Sequence, residues 1–320
     1  MLTVDKISVT VQVRGRELTI LRDVAFSLEK GEILALIGES GSGKSVTGQA
    51  IMGLLPQTMR VTSGTIMLDE ENLLTLPLRK WRTLRAGGIA IIPQNPMSVL
   101  DPLMRIGEQL IETRLAHDPG ISRQSAREQA RDLLGKVGIG SAEERLASYP
   151  HQFSGGMLQR VVIAMALINR PRFILADEPT ASLDPQNANG IMSLMREVNA
   201  KYRTALLWIT HDLVSLDGFA AHRAVMYAGQ VIERQHVVSD KKWMAHPYTM
   251  GLYRSLPDVG KKGTLLPTIP GQPPRAGEWP LGCAFAPRCS RATVQCQAEI
   301  QEMKIAPQHW VRCVEPLGMG

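Results

Sequence analysis

"GESGSGKS" (residues 38–45) stands between "EILALI" (32–37) and "VTGQAIMGLL" (46–55). An apolar run, a Gly-rich turn and a second apolar-periodic run predict a strand, a loop and a helix over 44–55. The eight residues fit G-x-x-x-x-G-K-[ST]. Gly38, Gly41 and Gly43 let the backbone turn tightly, so the N–H groups of Glu39, Ser40 and Ser42 point at phosphate oxygens. The helix N-terminus adds partial positive charge there. Lys44 is expected to reach the β- and γ-phosphates, and Ser45 to ligate Mg²⁺.

Further along, "RFILADE" (172–178) reads as a buried strand that ends in two carboxylates. Asp177 suits a water-mediated Mg²⁺ role, because Mg²⁺ keeps much of its hydration shell. Glu178 beside it can polarise an attacking water. The pair predicts hydrolysis of a nucleoside triphosphate, a reaction that needs positioning and charge stabilisation more than covalent chemistry.

Three other apolar runs, "EILALIG" (32–38), "GIAIIPQ" (88–94) and "TALLWITHD" (204–212), also read as buried strands. Helical periodicity occupies 104–116, 124–137 and 157–169. Strands apolar on both faces, alternating with helices, predict a largely parallel α/β sheet. At the N-terminus, "TVDKISVTVQV", "LTILRDVAFSL" and "SGTIMLD" alternate instead, which predicts a small antiparallel sheet. From about residue 240 Pro and Gly rise in "LLPTIPGQPPRAGEWPLG" and periodicity fades, so a loop-rich extension is expected over 241–320.

The 320 residues are 44% hydrophobic, enough for a sizeable core and two domains, and the net charge is +6 without a compact Lys/Arg block. "MLTVDKISVTVQV" lacks a signal-peptide layout, and no run approaches the ~18 apolar residues of a membrane span. A soluble cytoplasmic chain is the expectation.

"YPHQFSGGMLQRVVIAMAL" (149–167) carries a second anion-facing helix N-terminus at Ser154, Gly155 and Gly156. One nucleotide cannot easily use both devices within one monomer. With these motifs in this order the chain resembles the ATP-binding-cassette (ABC) ATPases. The resemblance implies a RecA-like P-loop core with a small antiparallel β subdomain. It also implies an inserted helical subdomain over about 95–165, within an ATPase domain of 1–240. It further implies that "SGG" of one subunit closes over the nucleotide held by "GKS" of another. Gln94 in "IIPQNP" matches the Gln that contacts Mg²⁺ and links nucleotide to the membrane subunits. Ser182 to Asp184 in "TASLD" match the loop crossing the dimer interface, and His211 in "WITHD" matches the His on the γ-phosphate. The chain departs from the usual LSGGQ with Phe153 and Met157. It also has no aromatic residue before Phe26, so adenine lacks the family's stacking partner in the N-terminal sheet.

"QNPMSVLDPLMRIGEQLIE" (94–112), "HPYTMGLYRSLPD" (246–258), "PTIPGQPP" and "GCAFAPRC" resemble the oligopeptide, dipeptide and nickel importer branch. The resemblance implies an ATP-hydrolysing subunit on the cytoplasmic face of the cell membrane. Its implied partners are a second ATPase subunit, two membrane-spanning permease subunits and an extracytoplasmic solute-binding protein, with no nucleic acid. Peptides are the first expectation for cargo and a nickel or metal chelate the alternative. A soluble ABC ATPase acting on nucleic acid and a metal-sensing module are further alternatives.

Cys283, Cys289, Cys296 and Cys313 are the chain's four cysteines, spaced C-x₅-C-x₆-C-x₁₆-C. The C-x₂₋₄-C pair of structural zinc sites is missing. Four thiolates on a loop-rich scaffold can hold an iron–sulfur cluster, and some members of the branch carry a 4Fe–4S cluster here. Zinc and reduced structural thiols remain the alternatives.

Overall fold

The computed structural model describes residues 1–181, 183–237, 244–256 and 266–318. In chain order the main elements are β1 (Leu2–Val13), β2 (Arg16–Leu28), β3 (Ile33–Ile37), α1 (Lys44–Ile51), β4 (Met59–Leu68), β5 (Glu71–Asn72), α2 (Leu78–Thr83) and β6 (Ile89–Ile92). There follow α3 (Ile106–His117), α4 (Arg123–Lys136), α5 (Ala142–Leu146), α6 (Gly155–Leu167), β7 (Phe173–Asp177), α7 (Pro185–Tyr202) and β8 (Ala205–Thr210). The last are β9 (His222–Tyr227), β10 (Gln230–His236), α8 (Pro247–Arg254), β11 (Met303–Ala306) and β12 (His309–Val311).

The chain forms two compact units. The first comprises Met1–Leu28, Leu34–Leu74 and Ile209–Gly320. It contains the antiparallel sheet β2-β1-β4-β5, as the alternating N-terminal patterns predict. It also contains the strand order β11-β12-β10-β9-β3, in which only β3 and β9 run parallel. Every residue of β3 is buried, which is why the run is apolar without alternation.

The extension holds more regular structure than its composition suggests. It carries the two-turn helix α8 and adds β12 and β11 to the edge of β10. The fully buried Glu233 of β10 fastens it. Its carboxylate accepts from the N–H groups of Ala245 (2.8 Å) and His246 (2.9 Å) and pairs with His309 Nε2 (2.7 Å). Arg234, next in β10, forks onto Glu302 with two 2.8 Å bonds and stacks on Trp310.

The second unit comprises Glu29–Ile33 and Thr75–Trp208. Its strands are ordered β8-β7-β6, with β6 and β7 parallel. Phe173–Ala176 and Leu206–Trp208 form its core together with Val161–Ala164 of α6. The helices α3 to α6 fill the region read as a helical subdomain. Ser122 caps α4 and Ser154 caps α6, each accepting from the backbone three residues on, worth about 1 kcal/mol apiece.

Candidate functional site

The loop from Gly38 to Gly43 joins β3 to α1 in the first unit. Gly43 caps α1 at φ 106°, and a Cβ there would lie 2.6 Å from Leu21 Cδ2. At Gly38 a Cβ would press on the Met226 carbonyl oxygen. Both positions therefore require glycine. The Lys44 side chain folds back over the loop, and its Nζ donates to the carbonyls of Gly38 (2.8 Å) and Glu39 (3.0 Å). Ser42 is buried, with its carbonyl accepting from Gly229 N–H at 2.9 Å. Ser40, Gly41 and Ser45 are exposed along the loop and the start of α1. His211, also in the first unit, lies exposed just past β8, where Thr210 Oγ1 accepts from Asp212 N–H (2.9 Å).

Glu39 is gripped at three points. Tyr248 Oη accepts from its N–H (2.9 Å), Lys44 takes its carbonyl, and Arg288 takes its carboxylate. Tyr248 belongs to α8, and Arg288 ends a 3₁₀ turn, Ala286–Arg288. Sequence reasoning missed both. "HPY" and "APRC" were visible as branch marks, yet nothing local connects them to a loop 200 residues earlier.

In the second unit the strand β7 ends at Asp177, and Glu178 follows with φ +47°. A non-glycine residue in the left-handed region is a strained position of the kind found at functional sites. Gln94 Nε2 donates to Glu178 Oε2 at 3.2 Å, so two of the expected residues meet. Ser154 caps α6, and the exposed Ser154 and Gly155 leave its N-terminus open. Asp184 caps α7, accepting from Asn187 N–H (3.1 Å) and Nδ2 (2.6 Å). These bonds from Asn187 hold the Asp184 carboxyl below its ordinary range. Ser182 of the same loop lies outside the described residues, as do 257–258 of the "HPYTMGLYRSLPD" segment.

The four cysteines, scattered over 31 positions, line one small cavity with His246, Phe285, Ile300 and Glu315. None is in a disulfide. Cys283 N–H donates to the Cys296 carbonyl (2.8 Å), closing the loop between them, and Thr293 N–H points at Cys296 Sγ (3.5 Å). Burial raises the thiol pKa of Cys283 and Cys289, and raises Cys313 to about 11, with Cys296 adding to each rise. Four thiolates can share this cavity only around a positive centre. Among the described residues no three His, Cys, Asp or Glu side chains are grouped to hold a single metal ion.

A Gly-rich loop between a buried strand and a helix is the P-loop pattern of nucleoside triphosphatases, and in the other unit a carboxylate pair ends a strand. The ABC transporter family profile matches residues 21–181, and the profile "Oligopeptide/dipeptide transporter, C-terminal region" matches 241–296. The dipeptide transport ATP-binding protein of Lactococcus lactis is 40% identical over 313 residues, 98% of this chain and 90% of the relative. The oligopeptide transport ATP-binding protein of Salmonella typhimurium is 40% identical over 317 residues, covering 99% and 94%. Among solved structures, a dimeric post-hydrolysis ATP-binding cassette bound to ADP and Pi aligns at TM-score 0.68 and 26% identity, over 75% of this chain and 100% of the other. The chain belongs to the ABC transporter family, as an ATP-binding subunit with the oligopeptide/dipeptide type of C-terminal region.

Proposed function

We propose that this chain is the ATPase subunit that powers uptake of di- and oligopeptides. The observation that carries the proposal is the near-full-length likeness to peptide-transport ATP-binding proteins, across both the ATPase and the C-terminal region. Among the described residues no helix is long and apolar enough to cross a membrane. In this reading, which the likeness to peptide-transport ATP-binding proteins supports, the chain works as a peripheral subunit on the cytoplasmic face, with two permease subunits, a second ATPase and an extracytoplasmic binding protein. Residues 1–240 act as the ATPase domain and 241–320 as the branch-specific extension.

The residue roles follow from their chemistry. Lys44 swings from the carbonyls of Gly38 and Glu39 to the β- and γ-phosphates, and loop N–H groups other than those of Glu39 and Ser42, which already donate to Tyr248 Oη and the Glu39 carbonyl, take the rest. Ser45 and Asp177 each offer the hard oxygen that Mg²⁺ prefers, Asp177 through water. Bound Mg²⁺ neutralises phosphate charge. Glu178 orients and polarises water while Gln94 holds its carboxylate, and His211 meets the γ-phosphate. Ser154, Gly155 and Gly156 cover the nucleotide of the opposite subunit, beside the loop ending in Asp184.

We read the four-cysteine cavity as a 4Fe–4S site, with zinc as the alternative, on the chemistry of its thiols. A cluster accepts four thiolates spread around a larger centre, and it supplies the positive charge that the buried thiols lack. Cys283, Cys289, Cys296 and Cys313 would hold it. When bound, such a cluster ties four loop segments together and offers one-electron chemistry.

Two measurements test these assignments. In vesicles containing the assembled transporter, peptide-loaded binding protein should stimulate ATP hydrolysis several-fold; stimulation by a nickel chelate instead would overturn the peptide assignment. After anaerobic purification, iron with matching sulfide and an absorbance band near about 400 nm is expected. Zinc, or four free thiols without metal, would refute the cluster.

A further inference from the structure

Arg288 lies beside Cys289 in the extension, and Glu39 is the second residue of the phosphate loop, 249 positions earlier. Their side chains form a fork. Nη1 donates to Oε2 at 2.8 Å and Nη2 to Oε1 at 3.2 Å. The Arg288 side chain is only 5% exposed, and Glu39 is 27% exposed. The remaining donors are also occupied. Nε bonds the Pro270 carbonyl (2.8 Å), Nη1 also reaches Tyr227 Oη (3.3 Å), and Nη2 also reaches the Ile269 carbonyl (3.5 Å). Behind the guanidinium, Tyr227, Tyr248 and Phe285 pack as a three-ring cluster with centroids 4.6–5.4 Å apart. Such a guanidinium, held by every donor, has one geometry.

Charge gives this fork a purpose. A carboxylate inside a loop meant for a triphosphate repels its ligand unless a cation neutralises it. Glu39 is also the residue whose carbonyl holds Lys44. Fixing Glu39 by its carboxylate and, through Tyr248, by its N–H fixes the peptide on which Lys44 rests. We propose that Arg288 is a positioning residue through which the C-terminal extension neutralises Glu39 and holds the phosphate loop ready for ATP. The proposal rests on the ATP-binding reading of that loop and adds to it a control element outside the ATPase motifs.

The test is a double-mutant cycle on the full-length protein in its assembled complex, reading MgATP affinity by equilibrium binding alongside KM and kcat. Arg288→Met should weaken ATP binding and raise KM about tenfold, with kcat within about twofold. Glu39→Gln combined with Arg288→Met removes the stranded carboxylate and should restore affinity to within about threefold of the parent. Arg288→Lys keeps the charge but loses the fork, and should give an intermediate rise of about threefold. It carries the test if the Met variant does not fold. Unchanged affinity in both Arg288 variants, or an equal loss in the single and double mutants, would overturn the proposal. Lys44→Ala is the separate control, since normal ATP affinity in that variant would instead sink the assignment of the loop to ATP.

Discussion

His246 performs a task that a proton would cancel. Its Nδ1 accepts from Tyr248 N–H at 3.0 Å and so caps α8, which needs the nitrogen unprotonated. Burial drives its pKa down to about 4, against a smaller opposing pull from Glu233, the charged group nearest it. The sign follows from linkage. Between about 6.5 and 4 the unfolded chain binds the proton and the folded one does not. The stability from this group is therefore complete above about pH 6.5 and fades as pH falls toward 4. The unfolding temperature should fall between pH 7 and pH 5, and His246→Asn, which keeps an acceptor but cannot titrate, should flatten that slope. Identical slopes in parent and variant would remove His246 from the account. At this scale the sequence was legible only where chemistry is local. Lys44, Ser45, Asp177 and Glu178 declare themselves through spacing along a strand, loop and helix. Arg288 and Tyr248 act on Glu39, more than 200 positions away, and no window of sequence contains both partners.

Among the elements, β10 does most to fix the extension. It was not read from the sequence, because "QVIERQH" mixes charge with short apolar steps and its burial comes from neighbours on both edges. The apolar strands β3, β7 and β8 were legible because both faces are buried. The pair β11 and β12 spans four and three residues and was hidden in a segment that looked irregular. The Glu233 carboxylate makes β10 a fastening point. Glu233→Ala would leave two N–H groups and His309 without their acceptor inside the first unit, at a cost of about 3 kcal/mol. Chemical denaturation should show a lower midpoint for this variant, together with faster proteolysis near residues 245–246. A midpoint equal to the parent's would show that β12 and α8 are held by packing alone.

For the whole molecule, the test of the ATPase reading is arrest. Glu178→Gln keeps the size and the Gln94 contact but removes the base. In MgATP it should reduce steady-state hydrolysis by at least about a hundredfold. It should also hold the two ATPase subunits together, seen as a doubled mass in light scattering. Unchanged turnover would remove Glu178 from the hydrolytic role. The clasp between Arg288 and Glu39 also bears on how such a molecule comes into being. Synthesis runs from the N-terminus, so the phosphate loop emerges from the ribosome long before the residue that completes it. Until position 288 has been translated and folded back, the nascent ATPase has the motif without its finished cradle. On the proposal above, the growing chain binds ATP more weakly until that clasp closes.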